Sequence, residues 1–253
     1  NPEDYTNRGS IITPLKDRIQ SQIFTHYPTS IEIGRSITKQ EVNLTSYQRE
    51  TIQVPELIER LIEQIAVEAR SNEYVDEKSG VSARLPISAY ETVVSAVERR
   101  MLINGEKTGI ARIGDLQAAI PSIVGKIEMV YEGEQEGAVN VAHRLISEAI
   151  RTLASDYFPD FEHLRAKQHP EIRSKYVGIM SWFEKGNELD LLNDATQDDY
   201  VTGLKSIKGL ALASKPKVKV TEADQLLMME YLLHVLAEFS LLDKKMLESS
   251  FRF

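Results

Sequence analysis

The sequence contains no cysteine and no long apolar run. Without cysteine the chain can form neither disulfides nor thiolate metal sites, and it has no thiol nucleophile, a composition typical of a reducing compartment. No stretch of about 18 consecutive apolar residues is present, and the start of the chain is neither basic nor apolar, so no membrane span or secretory signal is predicted. We therefore expect a cytoplasmic protein without a membrane partner.

Basic residues are too few to outnumber the acidic ones. Lys and Arg total 30 against 38 Asp and Glu, which gives a formal net charge of −8. A general nucleic-acid surface needs clustered positive charge to neutralise phosphates, so we expect no nucleic-acid partner. The 253 residues are 42% hydrophobic, enough for one sizeable core or two smaller ones.

Familiar active-site motifs are also missing. The sequence has no Gly-x4-Gly-Lys-Ser/Thr loop, and its nearest decoy, Gly105-Glu106-Lys107-Thr108, has Glu between Gly and Lys and is better interpreted as a helix-ending turn. No apolar strand ends in Asp-Glu to hold magnesium; the nearest segment, 189–194, has the wrong spacing. The five histidines form no His-x3-His pattern, and no Gly-x-Ser-x-Gly elbow occurs. The sequence therefore predicts no metal site and offers no nucleophile–base set to a hydrolase.

Helical periodicity dominates what is present, so the predicted fold class is mainly α. Caps and apolar spacing predict helices over 29–42, 54–70, 86–102, 113–124, 138–153, 172–183, 196–212 and 222–242. The acidic segment 132–137 is predicted to be a solvated loop, and the segment 215–220 an edge strand or linker. A predicted strand at 22–26 cannot be buried alone, so we expect it to belong to a sheet whose other strands lie elsewhere.

The first part of the chain resembles the AAA+ ATPases of the magnesium chelatase type. The resemblance is carried by Asn1-Pro2-Glu3-Asp4-Tyr5-Thr6-Asn7-Arg8-Gly9 with Ile12-Thr13-Pro14-Leu15-Lys16-Asp17-Arg18-Ile19, and by Ser79-Gly80-Val81-Ser82-Ala83-Arg84-Leu85. The first two runs look like the end of the sensor 1 strand and the arginine-finger helix, and the third is similar to the sensor 2 segment. With the lid-like helices between them, the resemblance covers about the first 105 residues.

The remainder resembles a different branch of the same group. The runs 115–127 and 130–134 look like uncharacterised chelatase-like bacterial ATPases rather than authentic chelatase subunits. The resemblance therefore does not imply a tetrapyrrole substrate. It implies three parts: the end of an α/β AAA+ core at 1–28, a helical lid at 29–108 and a helical C-terminal extension at 109–253.

The same resemblance implies roles for three residues. The amide of Asn1 would hydrogen-bond the attacking water or a γ-phosphate oxygen. Arg18 would act as an arginine finger in the site of a neighbouring subunit, which requires an oligomer. Arg84, at the start of a lid helix, would reach the nucleotide of its own subunit and couple the lid angle to hydrolysis.

The intact protein implied by the resemblance hydrolyses ATP with magnesium in a homo-oligomeric ring and remodels a partner, for which the resemblance suggests a protein with a metal-binding integrin-like domain. This chain lacks both nucleotide-binding loops, so we expect it to be a C-terminal portion that neither binds ATP tightly nor hydrolyses it. The competing interpretation is a non-catalytic helical interaction or regulatory module. In that case Arg18 belongs to a surface ion pair with Asp17, Arg84 is solvated, and Asn1 is a disordered terminal residue.

Overall fold

The computed structural model describes residues 18–21, 23, 25–77, 80–158, 161, 170–215, 221–243, 245–247 and 250–253, and these are mainly α-helical. The helices are α1 (Ile31–Glu41), α2 (Ser46–Thr51), α3 (Glu56–Ser71), α4 (Leu85–Asn104), a 3₁₀ helix (Ile113–Ala119), α5 (Ile120–Val124), α6 (Tyr131–Glu136), α7 (Ala138–Tyr157), α8 (Pro170–Glu184), α9 (Gln197–Ser206), α10 (Leu210–Ala213) and α11 (Glu222–Glu238). The strands are β1 (Ile52–Gln53), β2 (Gly109–Ile110), β3 (Asp190–Leu191), β4 (Lys245–Leu247) and β5 (Ser250–Arg252). The mainly α fold class is confirmed.

Local signals explain where the first long helices begin and end. Ser30 caps α1 by accepting a hydrogen bond from the Ile33 amide at 3.3 Å. Pro55 precedes α3, whose first turn carries two glutamates that favour the positive end of the helix dipole. Gly105 ends α4 in a left-handed conformation with φ of +66°, the conformation that glycine adopts without steric cost. These predicted boundaries agree with the structure to within a few residues.

Gly34 lies inside α1 because α1 crosses α3 there at close range. A Cβ at this position would collide with the carboxylate of Glu63, a buried side chain of α3. One turn later Thr38 donates a hydrogen bond of 2.5 Å to Glu63. The glycine that disfavours helix formation by about 1 kcal/mol is therefore required by the packing of the two helices.

Two segments differ from their predictions, and a third carried no prediction. The acidic segment forms helix α6 rather than a loop; the Val130 amide before it donates to the Tyr74 carbonyl at 3.1 Å, and the backbone of Tyr74 leaves no room for a Cβ at Gly133. The helix predicted over 196–212 breaks into α9 and α10 at Gly209, whose φ is +87°. The end of the chain, after residue 243, contains the antiparallel strands β4 and β5, with β5 between β3 and β4.

The strand predicted at 22–26 is not observed in the described residues: 23, 25 and 26 lie in neither helix nor strand, and 22 and 24 are outside the described residues. The described short strands instead form the parallel pair β1–β2 and the sheet β3-β5-β4. The α/β core expected at 1–28 therefore stays a prediction, as do the proposed domain boundaries.

One contiguous apolar core contains buried residues between Val42 and Phe253, from both the predicted lid and the predicted extension. Helices α3, α4, α7 and α11 contribute most of its fully buried side chains. Arg60 of α3 joins the two parts with hydrogen bonds of 2.9 Å to the Tyr157 hydroxyl and 2.5 Å to Asp156. Among the described helices, none is both long and apolar enough to cross a membrane.

Candidate functional site

Arg84 lies at the N-terminal end of α4, where the predicted sensor 2 segment enters the helix. It is the N-cap residue, its side chain is exposed, and its amide donates to the Ser82 hydroxyl at 3.2 Å. The first turn of α4 contains Pro86 and no acidic residue, so no carboxylate there competes with an incoming anion. A guanidinium beside the positive end of a 20-residue helix is suited to binding a phosphate.

The loop that carries Arg84 is held on two sides. On one side Val81 forms an antiparallel bridge with Ile127, and the Ser82 amide donates to the Lys126 carbonyl at 2.9 Å. On the other side the Tyr27 hydroxyl donates to the Val81 carbonyl at 2.5 Å and accepts from the Val81 amide at 3.2 Å. The loop is therefore anchored both to the segment after α5 and to the segment before α1.

Arg70, in the last turn of α3, lies beside this loop; Tyr27, Arg70 and the loop 80–84 together form the corner around Arg84. Its guanidinium carbon lies 4.0 Å from the centroid of the Tyr27 ring, a cation–π contact. Burial lowers the pKa of Arg70, while Tyr27 and Glu63 oppose the shift. The Arg70 Nε atom is buried and has no hydrogen-bond partner among the described residues, so the contact with Tyr27 stabilises a partly desolvated cation.

The structure gives less information on the other two predicted site residues, Arg18 and Asn1. Arg18 is exposed at the start of the described residues, and no hydrogen bond, ion pair or ring contact among those residues connects it with Arg84. Asn1 lies outside the described residues. The predicted roles of Asn1, Arg18 and Arg84 therefore stay predictions.

The decoy loop after α4 has a structural role. Gly105 and Glu106 both donate their amides to the Met101 carbonyl, which ends the helix. The Glu106 carboxylate accepts from the Gln197 amide at 2.8 Å and so joins this turn to the start of α9. These contacts agree with the interpretation of 105–108 as a helix-ending turn.

A buried polar network was not predicted from the sequence. Arg100 pairs with Asp115, and Asp115 also accepts from the Arg112 amide at 2.7 Å. Glu230 of α11 accepts from the amides of Ile113 and Gly114 at 3.0 and 2.9 Å and from the Tyr200 hydroxyl at 2.8 Å. Burial raises the pKa of Glu230, and these hydrogen bonds oppose the shift.

The contacts of this network indicate a structural role rather than a catalytic one. Arg112 stacks over the Tyr200 ring at 4.2 Å and donates to Ala195 and Gln197, so its position is set by α9 and the segment before it. The side chains of the network bind one another and hold the 3₁₀ helix against α9 and α11. Local sequence spacing does not indicate this network, because Arg112 and Glu230 are 118 positions apart in the chain.

In the part of the chain that the structure describes, no cluster of three or more His, Asp or Glu side chains could hold a metal ion. Comparison with protein-family models, with curated proteins and with solved structures found no match to this chain. The corner around Arg84 is therefore judged on its own geometry.

Proposed function

We propose that this chain is the C-terminal part of a magnesium chelatase-like AAA+ ATPase subunit, with residues 1–28 ending the α/β core, 29–108 forming the lid and 109–253 the extension. The intact subunit hydrolyses ATP with magnesium in a homo-oligomeric ring and uses the motion to remodel a partner protein, for which a protein with a metal-binding integrin-like domain is the candidate. The observation that carries this proposal is the exposed Arg84 at the positive end of a long helix in the lid.

The surroundings of Arg84 fit a triphosphate. Its charge is permanent, its planar fork can donate two hydrogen bonds to phosphate oxygens, and no ion pair within the described residues engages it. Magnesium finds no comparable ligand set in the described part of the chain. We therefore assign this chain the role of contacting phosphate from the lid, and no step through the metal.

Tyr27 supports the position assigned to the nucleotide. It lies at the end of the proposed core part and hydrogen-bonds to Val81, three residues before Arg84. The end of the core part is thus next to the loop that carries the proposed sensor. A nucleotide held by the core would lie beside this boundary, where Arg84 reaches it from the lid.

Contacts between lid and extension support the coupling. Arg60, on the second long helix of the lid, binds Tyr157 and Asp156 at the end of α7. A change in lid angle on hydrolysis would therefore move α7 with it, and a partner held by the extension would experience that movement. This is a route from ATP turnover to remodelling.

The test is ATP turnover by the full-length protein, extended upstream of Asn1. We expect Arg84→Ala to lower kcat by at least about tenfold, the effect of losing a charged hydrogen bond in the transition state. Arg99→Ala, which removes an exposed arginine of the same helix paired with Asp194, should leave kcat unchanged. Equal activity of the Arg84→Ala variant and the wild type would overturn the sensor assignment.

Arg18 has its own test in mixed rings. We expect Arg18→Ala to abolish turnover, and a subunit with Arg18 intact but its phosphate-binding loop inactivated to restore it, because the finger acts in the neighbouring site. Turnover unaffected by Arg18→Ala would favour the competing function.

The competing function is a non-catalytic interaction module. One observation favours it: Leu102 and Ile103, near the end of α4, are 71% and 54% exposed. Adjacent exposed apolar residues are common at partner-binding surfaces. Absence of a Gly-x4-Gly-Lys-Ser/Thr loop in the coding region upstream of Asn1 would select this function over the ATPase.

A further inference from the structure

Tyr27 is held to the loop of Arg84 by more than one interaction. Its hydroxyl uses both of its hydrogen-bonding capacities on one residue, donating to the Val81 carbonyl and accepting from the Val81 amide, across 54 positions of sequence. Its ring carries the Arg70 guanidinium at 4.0 Å. The loop thus holds the hydroxyl, and α3 independently holds the ring.

Gly80 permits this approach. Its φ is +70°, and a Cβ there would lie 2.9 Å from the Tyr27 hydroxyl oxygen. Any other residue would be strained in the backbone and would also crowd the phenol. We call the set of Tyr27, Arg70, Gly80 and Val81 the Tyr27 latch.

The Tyr27 latch controls one of the two supports of the Arg84 loop. The other support, the backbone of Lys126 and Ile127, belongs to the segment after α5. Tyr27 lies just before Pro28 and the Ser30 cap of α1. Two residues, Ser82 and Ala83, lie between Val81 and Arg84, so a displacement of Val81 would also displace the backbone that carries Arg84.

We infer that Tyr27 is a positioning residue that sets the location of Arg84 by holding Val81. This inference rests on the proposed function, because Arg84 is taken to touch the nucleotide. Tyr27 itself contacts no phosphate in this scheme. It determines where the loop presents Arg84 to the nucleotide.

The latch is tested first on the 253-residue chain. Tyr27→Phe keeps the ring on Arg70 and removes only the hydroxyl, so the fold is retained. We expect hydrogen exchange at the Val81 amide to become roughly three- to tenfold faster, the effect of losing one hydrogen bond. Tyr47→Phe is the matched control, since it removes a hydroxyl from a tyrosine of similar exposure, 47% against 40% for Tyr27. Unchanged exchange at Val81 in the Tyr27→Phe variant would overturn the inference.

The positioning role is tested in the full-length protein by a double-mutant cycle. We expect Tyr27→Phe to lower kcat for ATP roughly threefold to tenfold in the wild-type background and to have no further effect in the Arg84→Ala background. The thermal midpoint should change equally little in both backgrounds. An equal loss of kcat in both backgrounds would overturn the inference and leave the proposed function standing. If Arg84→Ala alone has no effect, the proposed function falls, and the positioning role falls with it.

Discussion

Glu63 shows how a single buried carboxyl should make stability depend on pH. Burial raises its pKa, while the hydroxyl of Thr38 and the charges of Arg70 and Arg35 oppose the shift without reversing it. A carboxyl whose pKa is higher in the folded chain than its ordinary value of 4.5 binds its proton more tightly when folded. Its stabilising contribution is complete below pH 4.5 and is lost as the pH rises through the folded pKa.

Glu63→Gln should therefore flatten the pH dependence of stability. The amide retains an oxygen to accept from Thr38 and carries no charge to desolvate. We expect the free energy of unfolding at pH 7 to rise by about 1 kcal/mol relative to wild type, and the difference to shrink toward pH 4.5. Urea unfolding at the two pH values measures this, with Glu50→Gln, at an exposed position of α2, as the control. A difference that grows toward pH 4.5 would contradict the assignment.

The candidate site was only partly accessible to prediction at the level of residues. Arg84 was placed at a helix start by signals within a few positions of it, and the structure has it as the N-cap of α4. Tyr27 and Arg70 were missed, because the contacts that give them a role reach 54 residues along the chain to Val81 or depend on the packing of α3. Helical periodicity carries no information about such pairs.

Strand β5 is the element whose removal should be most visible. Phe251 is 5% exposed, and its ring meets that of His234 edge-on with centroids 4.8 Å apart. The adjacent Arg252 points the other way and pairs with Asp190 at 2.5 Å near the surface. Phe251→Ala should lower the free energy of unfolding by about 3 kcal/mol, and Arg252→Ala by much less, because its ion pair is exposed to solvent. Urea unfolding followed by the fluorescence of Trp182, the single tryptophan, measures both; equal losses would show that β5 is not packed as described.

Elements with local signals were predicted well, and elements stabilised from a distance were not. Helix α3 begins with proline and glutamate, and α4 ends at a left-handed glycine; both were predicted within about two residues. Helix α6 was missed, because glycine is typical of loops and the close contact of Gly133 with Tyr74 cannot be inferred from the sequence. Strand β5 was missed, because its three residues are too few to show an alternating pattern and one of its partners, β3, is about 60 residues earlier in the chain.

At the scale of the molecule, the core crosses the boundary drawn at residue 108. Buried side chains of α3 and α4 belong to the same apolar cluster as those of α7 and α11. Tyr231 of α11 donates to the Ile150 carbonyl of α7 at 2.9 Å, and α3 packs on α7. Under the proposed function, lid and extension share this core, so we expect a motion driven by nucleotide to carry both.

This shared core predicts cooperative unfolding of residues 29–108 with 109–253, the proposed lid and extension. Arg60 is 18% exposed and binds Tyr157 and Asp156 across the boundary, so Arg60→Ala should lower the free energy of unfolding by about 1–2 kcal/mol. Native-state hydrogen exchange should report the same loss at the slowest amides of α3 and of α7, because both open only in global unfolding. Arg99→Ala, which breaks an exposed pair with Asp194, should change both by less than about 0.5 kcal/mol. Loss of protection confined to α3 would show that this region opens alone, and the proposed coupling of lid motion to the extension would then no longer be expected.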